Sequence, residues 1–419
     1  MGYSRRNFMK IGGLSVAAFG FAQNILAGQN RQVGQQLRNM VGDVEPLNEQ
    51  DYENRLENAK MLMDRNRIDG LFLSGSVNLT YFKNISWGRS ERTFGVVLLR
   101  EGPPVWVCPY FELDRAQERL PKNEEVRTWH EHESPYKLIE GIIKDNGGTY
   151  GRLGVGPTVR SFVLQGMARD AAGIEVVDGA VITEGCRAVK TQKEQGYMDL
   201  ANRITKLAYR EGFKTLREGM GTRDLSSAVS SAHRQMGVSG SGGPQFGVNS
   251  SFPHGSTVRR TLSEGDIVLV DGGTSVEGFR SDVTRTVVFG KPSDKQRRIW
   301  DILNKAQDAA IKAVRPGAAC ENIDAAARKV VDDAGFGTGY KYFSHRVGHG
   351  IGMEGHEYPY LVKGNKLKLE PGMTFSNEPG IYIPGEFGVR IEDCMVVTEN
   401  GGKFFGGMIG TAIDKPFGE

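Results

Sequence analysis

The 419-residue chain has little of several things that would settle its class at once. Its four cysteines, Cys108, Cys186, Cys320 and Cys394, are far apart and form no C-x-x-C pair. That excludes a disulfide-dense scaffold and a cysteine-based zinc module. Beyond residue 28 there is no apolar run of about 18 residues or more, so no membrane-spanning helix is expected. A repeat with a period of about 20 to 50 residues is also missing, which excludes a solenoid. The formal net charge is only +3, too small to draw nucleic acid electrostatically. What is present, 39% hydrophobic and 25% charged residues over this length, is a globular composition sufficient for two or three domains.

The N-terminus differs from the rest. "SRRNFMK" (Ser4 to Lys10) leads into "IGGLSVAAFGFAQNILAG", and no acidic residue precedes Asp43. Paired Arg5 and Arg6, an apolar stretch and small residues near Ala22 and Ala27 resemble a twin-arginine signal peptide over residues 1–28. Cleavage after Ala22 or after Ala27 fits equally well. Arg5, Arg6 and Lys10 account for the whole +3, so the mature chain is expected to be neutral, periplasmic or secreted, and without a stable membrane anchor. Export of an already folded protein implies that the cysteines are free, buried thiols.

Residues 29–48 are polar and read as a linker. Apolar residues at helical spacing from Glu49 to about Arg67 give a helix. Short β-rich runs, "GLFLSG", "FGVVLL" and "PVWVCP", then alternate with the helical segments "LDRAQERL", "SPYKLIEGIIKD" and "VLQGMARDAAG". This predicts an N-terminal α/β domain over residues 49–186. His130 and His132 in "WHEHES" are read as a solvated loop. The remainder, residues 187–419, runs helices, strands, helices, strands, which predicts an α+β domain with duplicated halves.

Two of its segments match each other. "EGDIVLVDGGTSVEGFRSDVTRTVVFG" reads as a β-hairpin with Asp271 closing the outgoing strand and Asp282 opening the return. "PGMTFSNEPGIYIPGEFGVRIEDCMVV" repeats the plan with Glu378 and Glu392. The spacings are 11 and 14 residues. Between the hairpins, "GHGIGMEGHE" (residues 348–357) sets His349 and His356 among four glycines, too many for a helix. It reads as backbone packed closely, with both imidazoles reaching into a site.

Each residue has a plainer reading: Asp271 as a turn residue, Glu378 as a strand-end surface charge, Glu392 as a partner of Arg390, His349 as a core histidine. In matched hairpins they instead assemble four carboxylates and one imidazole. Four converging carboxylates cannot all stay ionised uncompensated, and two divalent cations supply the compensation. Oxygen donors with one nitrogen favour Mn²⁺, with Co²⁺ and Zn²⁺ compatible. Two such ions about 3.5 to 4 Å apart lower the pKa of a shared water toward 7 and yield a hydrolytic nucleophile.

The segments "VDGGTSVEGFRSDVTRT", "VGHGIGMEGHE", "NEPGIY" and "VRIED" closely resemble the creatinase/aminopeptidase P/prolidase family of pita-bread metallopeptidases, specifically from Gln245 to Val397. The N-terminal domain, through "NLTYF" and its strand pattern, resembles that family's non-catalytic domain more loosely. The resemblance implies that Asp271, Asp282, His349, Glu378 and Glu392 are the ligands of two metal ions, with Asp282 and Glu392 bridging. It further implies that His254 steadies the tetrahedral intermediate, His356 contacts the substrate carbonyl or leaving group, and His345 lines the substrate pocket. Such donors are typically worth about 2.7 to 4 kcal/mol each. Glu378 would also accept the water's proton, and Arg390 and Thr284 would orient the ligand carboxylates from behind. Cys394 shares a strand face with Glu392 and is expected in the core.

The implied activity is hydrolysis of the bond between an N-terminal residue and a following proline, by a homodimer, with prolidase and aminopeptidase P both open. Rival readings are a same-fold sulfoniopropionate lyase or amidinohydrolase, and a non-catalytic peptide-binding module. The intact five-ligand set and the 11-residue aspartate spacing favour the peptidase.

Overall fold

The computed structural model describes residues 37–418. The twin-arginine stretch, residues 1–28, and the first part of the expected linker lie outside the described residues. From Met40 onward the linker region is packed: Met40 N–H donates to Met236 O (3.0 Å), and Tyr197 OH donates to Glu45 O (2.6 Å).

The N-terminal domain contains helices α1 (Glu49–Asn66), α2 (Val77–Lys83), α3 (Leu113–Gln117), α4 (Pro135–Asp145), α5 (Ser161–Asp170) and α6 (Ala180–Ala188). Strands β1 (Gly70–Ser74), β2 (Gly95–Leu99), β3 (Val105–Pro109), β4 (Glu125–Trp129), β5 (Arg152–Val155) and β6 (Glu175–Asp178) form one sheet, ordered β4-β3-β2-β1-β5-β6. Its central strands are apolar throughout because both faces are covered. Leu71, Leu73, Val96 and Trp106 pack on one face with Ala59 and Met63 of α1. Phe72, Val97 and Val107 pack on the other with Ile139 and Ile142 of α4. His130 and His132 stand exposed after β4, as expected of a solvated loop.

Helix α6 contains residue 186, the expected domain boundary, and ends at Ala188. The next helix, α7 (Gln192–Phe213), begins with a capping box, in which Glu194 N–H donates to the Thr191 hydroxyl and Thr191 N–H to the Glu194 carboxylate. It packs on α8 (Thr222–Gln235) and on strands β9 (Ser275–Val276), β10 (Phe279–Arg280) and β11 (Val283–Val288), while α8 packs on β7 (Gly243–Phe246), which pairs with β8 (Ile267–Gly272). The second half repeats the plan with α9 (Asp294–Ala313) and α10 (Cys320–Asp333). Its strands are β12 (Gly348–Gly350), β13 (Glu357–Leu361), β14 (Thr374–Asn377), β15 (Gly380–Ile383), β16 (Phe387–Arg390), β17 (Asp393–Thr398) and β18 (Gly401–Phe404).

The half-sheets β11-β8-β7 and β13-β12-β14-β17-β18 meet at one bridge, Thr284 to Glu392, where Glu392 N–H donates to Thr284 O (3.1 Å). Behind this seam the Asp393 carboxylate receives Lys206 Nζ (2.6 Å) and Arg285 Nη2 (2.8 Å), all buried. A single apolar cluster joins Ile267 and Leu269 of the first half to Ile299, Leu303, Phe375 and Met395 of the second. All four cysteines are free and buried, as expected.

Candidate metal centre

Each acidic residue singled out by the sequence stands where a strand begins or ends. Asp271 lies near the end of β8, opposite Thr284, and Asp282 directly precedes β11. Glu378 directly follows β14 and Glu392 directly precedes β17. At such positions the backbone leaves its ladder and the side chain can turn to the end of the sheet. His349 is the middle residue of β12. A Cβ on the preceding Gly348 would stand 2.0 Å from Ser376 O, so only glycine lets β12 come this close to β14.

The five side chains converge. Donor atoms of Asp271, Asp282 and Glu392 form one set, and those of His349, Glu378 and Glu392 a second, each within 4.8 Å of one another. Glu392 belongs to both sets, as a bridging ligand must. Asp282 Oδ2 is 3.8 Å from His349 Nε2 and so also reaches toward the second set. His349 Nε2 is 3.2 Å from Glu378 Oε1, while its Nδ1 is 3.0 Å from Gly350 O. With the Nδ1 proton on that carbonyl, Nε2 is the nitrogen that faces the carboxylates, where a cation would take its lone pair.

Arg390 and Thr284 hold the carboxylates from behind. Arg390 Nη2 meets Asp271 Oδ2 at 2.7 Å, and Arg390 Nε donates to Thr284 Oγ1 at 3.0 Å. The Thr284 hydroxyl lies 2.6 Å from Glu392 Oε2 and 3.0 Å from Asp271 Oδ1, and its one proton serves one of them at a time. Ser376 Oγ donates to Glu378 Oε1 (3.1 Å) and accepts from His349 N–H (3.0 Å). Cys394 is also in this layer: its thiol donates to Asp282 O (3.1 Å) and accepts from Asp282 N–H (3.3 Å).

The donor set suits divalent cations. Like charges 4 Å apart repel by about 4 kcal/mol at a protein-like dielectric, and four carboxylates make several such pairs. Arg390 alone cannot offset them. Burial and the Asp271 charge push the Asp282 carboxyl up to about 7, and burial with Asp282 and Glu378 lifts Glu392 well above the carboxylate range. Cations placed among these oxygens would keep them ionised.

A cavity of about 730 Å³ opens over the five, lined also by Phe252, His254, His345, Arg346 and His356. The His356 ring stacks on that of His349 (centroids 3.7 Å apart), and burial with the neighbouring His349 lowers its pKa to about 4. Arg346 Nη2 stands 3.4 Å from His356 Nδ1, and an arginine can only donate, so Nε2 is the nitrogen that carries the proton. His254 is exposed on a loop held by the Gln245 side chain, which in its satisfied orientation donates to Phe252 O (3.2 Å) and accepts from Gly255 N–H (3.1 Å). His345 lines the cavity with both nitrogens engaged, Nδ1 to Arg346 O and Nε2 to Tyr382 OH, each at 2.8 Å.

Sequence reasoning missed Tyr382, Arg346 and Ser376. Tyr382 is the most connected, since its hydroxyl also receives Arg390 Nη1 (2.8 Å) and so ties His345 to the guanidinium behind Asp271. Strand alternation in "GIYI" marks Tyr382 as sharing a face with Gly380, and nothing more local points to it.

Two structurally repeated halves that place carboxylates on either side of one seam, under an open cavity, define a metallohydrolase scaffold. Comparison with known proteins agrees. Residues 196–399 match metallopeptidase family M24, and residues 55–189 match the creatinase/prolidase N-terminal domain. The chain is similar to an Xaa-Pro dipeptidase of Lactobacillus helveticus, 36% identical over 352 residues that cover 82% of this chain and 94% of that protein. It is similar to the solved dipeptidase PepE of Mycobacterium ulcerans (34% identity, TM-score 0.79, covering 86% of this chain and 96% of that one). A prolidase from Thermococcus sibiricus is also similar, at 30% identity and TM-score 0.74, with 84% and 96% covered. The chain belongs to metallopeptidase family M24.

Proposed function

We propose that this protein is a proline-specific exopeptidase that hydrolyses the Xaa-Pro bond of dipeptides, using two divalent cations, Mn²⁺ first among them. The observation that carries the reading is the meeting of Asp271, Asp282, His349, Glu378 and Glu392 at one seam, with His349 Nε2 facing the carboxylates. The named relatives, an Xaa-Pro dipeptidase and a prolidase, support the substrate class and favour a dipeptide over a longer peptide. The twin-arginine reading of residues 1–28 supports export to the periplasm or beyond, and the family resemblance supports a homodimer.

Bound cations would acidify a water and polarise the scissile carbonyl. The chain's own residues would do the rest. Glu378 accepts the water's proton as the oxygen attacks the carbonyl carbon, and that proton passes to the proline nitrogen as the C–N bond breaks. The nitrogen lacks an N–H until then, because proline's amide is tertiary. His254 and the Nε2–H of His356 donate to the oxygen that gains charge. His345, tied to Tyr382, shapes the wall on which the proline ring rests.

The test supplies the purified protein with Mn²⁺ and offers Ala-Pro beside Ala-Pro-Ala. Rapid proline release from the dipeptide and slow cleavage of the tripeptide are expected. No cleavage of either at the Xaa-Pro bond overturns the reading.

A further inference from the structure

His356 is exposed in the cavity, and the segment that carries it, residues 351–356, belongs to no strand. A second cavity of about 120 Å³, lined by Asn78, Glu184, Arg187 and Glu357 among others, shares His356 as a wall with the first. His356 thus stands between the two cavities.

Glu357, the next residue, is buried at the first position of β13 and is gripped by two cations. Lys190 Nζ donates to Glu357 Oε1 at 2.6 Å, and Arg187 Nη2 donates to Glu357 Oε2. The same Arg187 nitrogen also donates to Glu354 Oε2 at 2.7 Å. Its other arm, Nη1, donates to Asn78 Oδ1 of α2 at 2.9 Å. Arg187 itself lies in α6 of the N-terminal domain. One guanidinium therefore joins that domain to a carboxylate on each side of His356 in the sequence. Close approach is built in, since a Cβ on Gly352 would stand 2.2 Å from Glu357 Oε1. Burial would push the Glu357 carboxyl up, but Lys190 and Arg187 outweigh it and hold it below its ordinary value.

We propose that Arg187 is a positioning residue for the reaction: it ties Glu354 and Glu357 to the N-terminal domain and thereby fixes the His356 imidazole against the substrate. This rests on the reading of His356 as a substrate-contacting donor. An ion pair that only stabilised the fold would change folding and leave turnover of the folded enzyme alone. A tether changes turnover, and only while His356 is there to be held.

The experiment measures kcat, KM and bound Mn²⁺ for the full chain on Ala-Pro, with R187Q, R187K, H356A and R187Q/H356A. R187Q is expected to lower kcat by about 10- to 100-fold at unchanged metal content, the scale of an outer-layer support. R187K should recover part of this, because an ammonium can keep one bond but not the fork. In the H356A background R187Q should add no further loss, the non-additivity of residues acting as a unit. Wild-type kcat for R187Q, or the same fold-loss in both backgrounds, overturns the tether. Wild-type kcat for H356A overturns the role of His356 first, and the tether with it. Should R187Q fail to fold, E354Q removes one partly exposed partner. A smaller kcat loss that vanishes in H356A supports the tether, and an equal loss in both backgrounds overturns it.

Discussion

In the first half of the catalytic domain the chain between its two carboxylates, Asp271 and Asp282, folds as the short pair β9–β10. In the second, between Glu378 and Glu392, it folds as the longer pair β15–β16. The two inserted hairpins turn to different tasks. β15–β16 carries Tyr382 and Arg390 into the site, where they brace His345, Asp271 and Thr284. β9–β10 turns to the His356 segment instead: Arg280 N–H donates to Gly352 O (2.7 Å) and Arg280 Nε to Met353 O (3.1 Å). The two halves offer equivalent pairs of carboxylates, and the difference between the hairpins adds supports that the shared strands, with Thr284 and Ser376, do not supply. Equivalence is thus expected of the ligands and asymmetry of their supports.

The largest effect tests the equivalence. Asp282→Ala from the first half and Glu392→Ala from the second should each lower kcat/KM on Ala-Pro by about 10³-fold, the upper scale for losing a preorganised electrostatic group. Near-normal turnover in either variant would show that one half suffices.

Tyr382→Phe tests the longer hairpin. It removes one hydroxyl that serves both His345 and Arg390, and should cost about 10- to 100-fold in kcat, with little change in thermal midpoint. A lost midpoint with intact kcat would assign Tyr382 to folding instead.

Glu357 gives a pH dependence. Its folded-state carboxyl is held below the ordinary 4.5, so its pairing stabilises the fold fully above that value. The stabilisation is lost as the pH falls through the folded value. Glu357→Gln leaves Lys190 buried without its anionic partner and Arg187 with Glu354 alone, and should cost about 3 kcal/mol in urea unfolding near neutral pH. The gap to the wild type should narrow in acid, and a gap independent of pH would contradict the ion-pair account.

The smallest effect belongs to the shorter hairpin. Arg280→Ala removes one side-chain bond to Met353 O and leaves the backbone bond to Gly352 in place. A net hydrogen bond of about 1 kcal/mol limits the loss in kcat to roughly fivefold. A loss as large as that of Tyr382→Phe would erase the proposed asymmetry.

Much of this was legible in the sequence because it is local. Helical periodicity fixes α1, and apolar runs fix the central strands of the first sheet. The candidate ligand residues stand out because two hairpins repeat one plan around a glycine-rich segment. What was not legible depends on partners far apart in the chain. Tyr382 meets His345 across 37 residues, and Arg187 meets Glu357 across 170. No period or spacing encodes such contacts; they exist only once the halves and the two domains are packed. Cys394 lies between these cases. Strand alternation placed it on the face of Glu392, but only the assembled seam shows its thiol bonded to the Asp282 backbone.

The most direct measurement counts metal against activity. Metal-stripped protein is titrated with Mn²⁺ while bound ion and Ala-Pro cleavage are followed together. The account predicts no cleavage in the stripped protein and two ions bound per chain as activity returns, with Asp282→Ala and Glu392→Ala each failing to regain it. Full cleavage by metal-free protein, or full activity of either variant, would contradict it.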